Sequence, residues 1–451
     1  MSTSPSPIQA GPREVLSLAV PAFLALVAEP LFLMVDAAVV GRLGVVPLAG
    51  LGTASSVLLT ATGVFVFLAY GTTSVVARQV GAGSTKGAIE VGAGGVWLAG
   101  ALGILAGLVL GLFAPQLAGV FGSSPEALDE AVTYLRMSAL GVPAMLLVLA
   151  ATGILRGLLD TKTPLVAATL GFGGNAVLSV TLVHGAGFGI AGAAWGTVIA
   201  QWAMALGLLA VVARRGQAAQ ASLRPHVRRV VDAALDGAPL LVRTVALRAI
   251  ILLTVAAAAG FGDVPLAAYQ VTTTVWSLLV FALDALAIAG QALTGASLGS
   301  GDAKGARAAT AFMVRWGVWG GVILGVGLLA LHRVLPVLFT DDPAVRSAIA
   351  AGLVVVALAQ PLSGYVFVVD GVLIGAGDGR WLAWSMVLVL LAYLPIIGLA
   401  RWLGSGHGSA WAVVALWVAF TGFMAVRGGF MWWRIRGDAW AVTGSERPRR
   451  G

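Results

Sequence analysis

The sequence aligns with itself without gaps at one fixed offset, and this internal repeat constrains the fold more than any other feature. The segment GVVPLA at 44–49 returns as GDVPLA at 262–267, a shift of 218 positions. The same shift places Pro143 on Pro361 and Asp160 on Asp378. A period of this length far exceeds those of solenoids and propellers, so it predicts two duplicated bundles rather than a stacked array.

The composition indicates that lipid surrounds both bundles. Of the 451 residues, 59% are hydrophobic and only 10% are charged, which excludes an ordinary soluble surface. Hydrocarbon cannot satisfy backbone polar groups, and apolar runs of about 20 residues select helices over a barrel. We predict twelve spans at roughly 15–40, 49–78, 90–120, 130–157, 164–184, 189–213, 237–261, 266–297, 307–335, 346–375, 381–402 and 409–434.

The predicted fold is an all-α integral membrane protein with twelve transmembrane helices in two six-helix bundles. An even number of spans per repeat gives both repeats the same orientation, as in a parallel internal repeat. Repeats of this kind are frequent in transporters, whose sites lie where the repeats meet. The predicted domains are a disordered tail at 1–14, a first bundle at 15–213, a cytoplasmic linker at 214–236, a second bundle at 237–435 and a basic tail at 436–451.

Basic residues set the orientation. With both termini in the cytoplasm, the outer loops contain only Arg42, Arg333, Arg346 and Arg401, whereas the inner loops and tails hold most of the other Lys and Arg residues. This positive-inside bias predicts a multi-pass protein of the cytoplasmic (inner) membrane. It also accounts for the net charge of +8 without a nucleic-acid partner.

Two short motifs match enzyme patterns but lack the structural context that those patterns require. GASLG at 295–299 and GFGIAG at 187–192 match a nucleophile elbow and a dinucleotide fingerprint, but neither lies between a strand and a helix. The chain has no cysteine, and its four histidines lie at predicted loops or helix ends without a partner at i+4. We therefore predict no enzymatic activity, no metal site and no cofactor.

Carboxylates inside the first span are the strongest functional candidates. A charge at mid-membrane costs about 2.5 to 3.5 kcal/mol on insertion scales. Glu29 and Asp36 are seven residues apart, on one helix face and about 10 Å apart along the axis. The predicted interior of the first six spans has no basic residue to pair with Asp36, apart from Arg136 close to an outer end. An unpaired carboxylate can take up and release a proton, so Asp36 is the predicted coupling residue.

The second repeat contains different candidates. Asp284 lies in the eighth span with Gln291 seven residues further on, and Asp370 lies in the tenth, with Arg243 and Arg248 as candidate counter-charges. A structural pair between an intramembrane Asp and a buried Arg is the alternative to a functional role.

The two repeats have different residues at the positions of the intramembrane carboxylates. When the repeat shift is removed, Asp370 falls on Thr152, which we place with Glu29 among the predicted first-bundle cavity residues, and Asp36 falls on Thr254. We therefore expect ion coupling in the first bundle, with substrate contacts in both. Pro21 and Pro30 are expected to interrupt the first span and to provide a kink that bends as Asp36 changes charge.

Three segments together resemble a known family. They are EPL at 29–31 with VD at 35–36 and VVGRLG at 39–44, RGLLDTKTP at 156–164, and DG at 370–371 with GAGD at 375–378. The chain is similar to the DinF-like branch of the multidrug and toxic compound extrusion (MATE) transporters. The resemblance implies a V-shaped twelve-helix fold that exports amphipathic, often cationic compounds in exchange for protons or sodium ions.

The resemblance also assigns roles by position. It makes Asp36 the protonated carboxylate, Pro21 the bending point, and Asn175 and Thr197 polar partners in a first-bundle cavity. Family members often carry a second Asp one turn after the Asn, where this chain has Ser179, which weakens a sodium site and favours a lone proton acceptor. Positions of the second bundle that recur in this branch are Arg243, Gln270, Asp284 and Gln291.

We accordingly expect a monomeric antiporter with protons as the coupling ion, sodium being the alternative. The nearest alternative function is a lipid or glycolipid flippase of the same shape. A flippase needs several inward basic residues for an anionic headgroup, and only Arg243, Arg248 and Arg315 are available.

Overall fold

The structure is a computed structural model that describes residues 11–120 and 124–445. Over those ranges the chain forms fifteen α-helices and no strand. Eleven helical segments are long and apolar enough to cross a membrane, or twelve if a helix pair bent by 52° counts as one span. These findings confirm the predicted all-helical membrane fold. Residues 1–10 of the predicted N-terminal tail and residues 446–451 of the predicted C-terminal tail lie outside the described residues.

The chain separates into two compact units. The described residues from Ser17 to Ala238 form the first unit, and those from Pro239 onward, with residues 11–16, form the second. The helices that lie wholly or mostly in the first unit are α1 (Pro12–Gly41), α2 (Val45–Gly63), α3 (Phe67–Gly81), α4 (Thr85–Leu112), α5 (Ala114–Gly119), α6 (Pro125–Ser138), α7 (Val142–Gly157), α8 (Lys162–Val180) and α9 (Gly189–Ala218). A 3₁₀ turn at Val64–Val66 joins α2 to α3, and a π-helical turn at Thr181–Gly185 extends α8.

Six long helices lie wholly or mostly in the second unit. They are α10 (Val227–Ala259), α11 (Asp263–Gly299), α12 (Ala303–Leu331), α13 (Pro343–Gly375), α14 (Gly379–Gly404) and α15 (Ser409–Arg436), with a 3₁₀ turn at Leu335–Leu338. Two boundaries differ from the sequence prediction. The first helix already begins at Pro12, and the predicted linker at 214–236 is mostly helical, because α9 continues to Ala218 and α10 begins at Val227.

Repeat-related glycines bring helices together in both units. A Cβ on Gly153 of α7 would lie 2.7 Å from the carbonyl oxygen of Ala69 in α3. The repeat mate of Gly153 is Gly371 of α13, where a Cβ would collide with the carbonyl of Ala287 in α11. Small residues of this kind let membrane helices pack backbone against backbone. The duplicated sequence therefore builds the same helix crossing twice.

A repeat-related aspartate forms an ion pair in each unit. Asp160, between α7 and α8, pairs with Arg215 of α9, and its repeat mate Asp378 accepts a hydrogen bond of 2.6 Å from Nε of Arg434 in α15. Asp160 also accepts hydrogen bonds from the backbone and hydroxyl of Thr163, at 2.9 and 2.7 Å. Burial would raise the pKa of the Asp160 carboxyl, but the Thr163 hydrogen bonds and the Arg215 charge outweigh it and hold that pKa below its ordinary value.

Residues 437–445, the described part of the predicted basic tail, fold back onto the second unit. Trp440 is 1% exposed, and Asp438 pairs with Arg307 near the start of α12. The backbone N–H of Gly444 donates to the carbonyl of Leu298, at 2.9 Å. This segment therefore ties the end of α15 to the turn between α11 and α12.

Candidate functional site

The site is built around Asp36 on α1. The helix runs unbroken from Pro12 to Gly41 through both internal prolines, so the expectation that Pro21 and Pro30 interrupt it is wrong. A proline removes one backbone donor, and the hydrogen bonds on either side of it hold the helix together. Asp36 lies near the C-terminal end of α1 and is 2% exposed.

Two hydroxyl groups from other helices bind the Asp36 carboxylate. Oη of Tyr134, on α6, donates to Oδ2 at 3.2 Å, and Oγ of Ser179, on α8, donates to Oδ1 at 3.1 Å. None of the salt bridges within residues 11–120 and 124–445 involves Asp36. The carboxylate is therefore buried among neutral donors and has no counter-charge.

A chain of hydrogen bonds leads away from Asp36. Oγ of Ser179 also lies 3.0 Å from Oδ1 of Asn175, one turn earlier on α8. Nδ2 of Asn175 donates to Oγ1 of Thr197 on α9, at 3.3 Å. A serine hydroxyl carries one hydrogen and two acceptor lone pairs, so Ser179 can donate to Asp36 or to Asn175 but not to both at once.

Close packing of α9 against α8 holds this chain in place. A Cβ on Gly196 would lie 3.0 Å from both N and Oγ of Ser179, and 3.1 Å from Oδ1 of Asn175. Glycine at this position leaves room for both polar side chains beneath α9. Gly196 therefore lets α9 approach α8 without displacing Ser179 and Asn175.

The second unit surrounds its buried carboxylate with cations. Asp370 of α13 is 6% exposed and accepts two hydrogen bonds from Arg243 of α10, the one from Nε being 3.1 Å long. Nη2 of Arg427, on α15, lies 2.6 Å from Oδ1 of the same carboxylate. Both guanidinium groups are buried. This arrangement is an ion-pair cluster, in contrast to the neutral surroundings of Asp36.

Comparison with known proteins identifies the family. The MatE family profile matches residues 21–181 and 239–398, which together exceed half of the chain. The chain belongs to the MATE family. Its members are transporters and not enzymes, as the sequence predicted.

Individual relatives agree over nearly the whole chain. Protein DETOXIFICATION 43 of Arabidopsis thaliana is 31% identical, with 96% of this chain and 91% of the relative covered. DNA damage-inducible protein F of Escherichia coli is 27% identical, with 91% and 89% covered. A MATE structure solved in the bent conformation matches with a TM-score of 0.85 at 21% identity, covering 95% of this chain and 96% of that one. The MATE resemblance read from the sequence is confirmed, and the fold is that of MATE transporters.

Four of the predicted first-bundle residues form one cluster in this MATE protein, namely Asp36, Asn175, Ser179 and Thr197. The other predicted residues lie apart from the cluster. Pro21 is 15 residues before Asp36 on α1, Glu29 is exposed on the same helix, and Thr152 is half-buried on α7. No hydrogen bond joins any of these three to the cluster within the described part of the chain.

The predicted second-bundle residues differ in how exposed their side chains are. Arg243 and Asp370 are buried together, Gln291 is buried on α11, Asp284 is half-buried, and Gln270 and Arg248 are exposed. Arg248 was a candidate counter-charge, but the pairing falls to Arg243 and Arg427 instead. Arg248 lies five residues after Arg243, which turns it onto a different face of α10.

Two residues of these clusters were not predicted from the sequence. Tyr134 lies in the predicted fourth span, and the available signal was that a buried tyrosine hydroxyl needs a hydrogen-bond partner. Arg427 lies in the predicted twelfth span, where a basic residue required a partner by the same reasoning applied to Asp370.

Proposed function

We propose that this MATE transporter is a secondary antiporter that exports amphipathic or cationic compounds in exchange for protons. It acts as a monomer in the cytoplasmic membrane, with both termini inside. One observation carries the proposal: the buried carboxylate of Asp36 is bound by the neutral hydroxyls of Tyr134 and Ser179 and forms no ion pair with any residue that the structure describes. Such a group can gain a proton without breaking a salt bridge.

The hydrogen-bond chain supports a proton as the coupling ion because it offers an arrangement for each charge state. When Asp36 is ionised, Ser179 donates its hydrogen to Oδ1. When Asp36 is protonated, its own O–H donates to Ser179, whose hydrogen then turns to Oδ1 of Asn175. Both states are hydrogen-bonded, so a change of charge repolarises the link between α1 and α8. This change is the step that favours one conformation over the other.

Sodium fits this cluster less well. A hard cation prefers several oxygen ligands, including more than one carboxylate or carbonyl. Here Ser179 stands where MATE relatives often have a second Asp, and Asp36 is the carboxylate of the cluster. Sodium would also have to displace the two O–H donors that already bind the Asp36 carboxylate. Proton coupling is therefore the simpler proposal.

The flippase alternative has less support from the ion pairs. Of its three candidate arginines, the buried Arg243 is bound to Asp370, while Arg248 and Arg315 are exposed and do not take part in that ion pair. A headgroup would have to compete with Asp370 for Arg243. We therefore retain the export of amphipathic cations as the proposed activity.

Transport in proteoliposomes tests the coupling ion. Purified protein is reconstituted, and efflux of a fluorescent cation such as ethidium is followed under a pH gradient alone and under a sodium gradient alone. We expect transport with the pH gradient and its loss in Asp36→Asn, which keeps the volume and the hydrogen-bonding capacity of the side chain. Wild-type rates in Asp36→Asn, or transport driven by sodium alone, would refute proton coupling through Asp36.

A further inference from the structure

Glu29 is the second carboxylate of α1, and its surroundings differ from those of Asp36. It lies 17 residues after the start of a 30-residue helix, and therefore about 26 Å along an axis of about 45 Å. Its side chain is exposed, and it makes no hydrogen bond or ion pair with any residue that the structure describes. A carboxylate at mid-depth of a membrane helix thus has no partner from the first unit.

Aromatic rings lie beside Glu29 on the same seam. Phe32, one turn further along α1, stacks on Phe172 of α8 with ring centroids 5.3 Å apart and an interplanar angle of 14°. Residues three and seven positions apart share a helix face, so Glu29, Phe32 and Asp36 line one face of α1. The stacked pair therefore lies between the exposed carboxylate and the buried one.

The exposed side chain of Glu29 lies on a helix that is otherwise joined to its neighbours by buried and half-buried side chains. The stacked phenylalanines and the hydrogen bonds of Asp36 link α1 to α6 and α8 on the same face as Glu29. Exposure to hydrocarbon alone would cost a carboxylate about 2.5 to 3.5 kcal/mol. No cation among the described residues pairs with Glu29, so its ionised form is stable only with water or a positively charged ligand beside it.

We propose that Glu29 is the specificity-determining residue for the exported compound, and that it selects lipophilic organic cations with aromatic surface. This inference rests on the proposed export function and names the group that recognises the substrate. The carboxylate supplies the counter-charge, and the Phe32 and Phe172 rings supply faces for a delocalised cation. Asp36 does not take this role, because it is buried and already bound by Ser179 and Tyr134. The two carboxylates of α1 therefore have different roles: Glu29 binds the exported compound, and Asp36 binds the coupling proton.

Equilibrium binding to purified protein in detergent tests this assignment without any gradient. The probes are tetraphenylphosphonium, a cation, and triphenylphosphine oxide, a neutral compound with similar rings. We expect Glu29→Gln to weaken tetraphenylphosphonium binding by about tenfold or more and to change triphenylphosphine oxide binding little. Glu29→Asp keeps the charge and retains most of the cation binding, which excludes misfolding as the cause. Glu126→Gln, at an exposed acid near the start of α6, is the matched control and leaves both affinities unchanged.

Three results would overturn the assignment: no tetraphenylphosphonium binding by the wild-type protein, equal cation affinity in the wild type and Glu29→Gln, or an equal loss for both probes. The binding assay is independent of proton coupling. If Asp36→Asn abolishes gradient-driven transport while Glu29→Gln binds the cation normally, only the role of Glu29 fails. If Glu29→Gln loses cation binding while Asp36→Asn transports normally, the role of Glu29 stands and proton coupling fails.

Discussion

Replacing Asp370 by Asn should destabilise the second unit severely. The Asp370 carboxylate is buried and bound by Arg243 and Arg427, which are themselves 6% and 4% exposed. Asparagine has nearly the same shape but no charge, so both guanidinium groups would remain buried without this counter-charge. The perturbation is therefore electrostatic and creates no cavity.

The size of the effect follows from the burial of all three groups. Removing one partner of a buried ion pair typically costs about 3 to 5 kcal/mol, because the remaining charge is left uncompensated. At roughly 2 to 4 °C per kcal/mol for a unit of this size, the apparent melting temperature should fall by roughly 10 °C. Asp36→Asn is the matched control, since Asp36 has only hydroxyl partners, and asparagine can accept from one hydroxyl through its oxygen and donate to the other through its nitrogen. We expect its melting temperature to stay within about 3 °C of the wild type.

Thermal unfolding of both variants in the same detergent, followed by tryptophan fluorescence, measures the difference. The double variant Asp370→Asn with Arg243→Gln removes one of the uncompensated charges and should regain part of the loss. The reasoning fails if Asp370→Asn has the same melting temperature as the wild type, or if Arg243→Gln lowers the melting temperature of Asp370→Asn further instead of raising it. Either result would mean that the guanidinium groups do not depend on Asp370.

Two further predictions concern the first unit. Gly196→Ala should reduce transport several-fold without unfolding the protein, because its Cβ would press on Ser179 at 3.0 Å; Gly207→Ala on the same helix has no atom within 4 Å of its Cβ and should transport normally. Asp160→Asn should lower stability by about 1 kcal/mol at neutral pH, because the carboxylate interacts with Arg215 and caps α8. The pKa of Asp160 is lowered in the folded state, so its contribution is complete above the unfolded pKa of about 4 and is lost as the pH falls through the folded value. The stability gap between wild type and Asp160→Asn should therefore close in acid, and a gap that widens there would contradict the assignment.

The fold could be predicted because it depends on composition and on the repeat. Apolar run length sets the spans, and one shift relates Gly153 to Gly371 at the same kind of helix crossing. Boundaries failed where a helix continues beyond the membrane. The polar stretch around 214–236 contains helical turns at both ends, and hydropathy does not detect helices that leave the lipid.

The site could be predicted only in part. Hydropathy shows which residues are costly to bury in a membrane, but it does not show which side chains contact each other. Asp36 was identifiable as a carboxylate that needed an explanation, and family position added Asn175 and Thr197. Nothing in a single sequence pairs Tyr134 with Asp36, since they lie 98 residues apart. The partner of Asp370 was ambiguous for the same reason, because choosing Arg243 over Arg248 requires knowing which face of α10 turns inward.

The repeat shows why only one of the two units carries the proposed coupling site. The repeat mate of Asp36 is Thr254, and the mate of Asn175 is Tyr393. These two hydroxyls lie 2.6 Å apart, both fully buried, with the Phe423 ring packed on Tyr393. The same place in the second unit is therefore closed by a neutral hydrogen bond and an aromatic ring, and it has no group that changes charge near neutral pH. The helix crossings and the ion pairs of Asp160 and Asp378 recur in both units, whereas Thr254 and Tyr393 replace the Asp and the Asn at two positions, which confines the proposed proton site to the first unit.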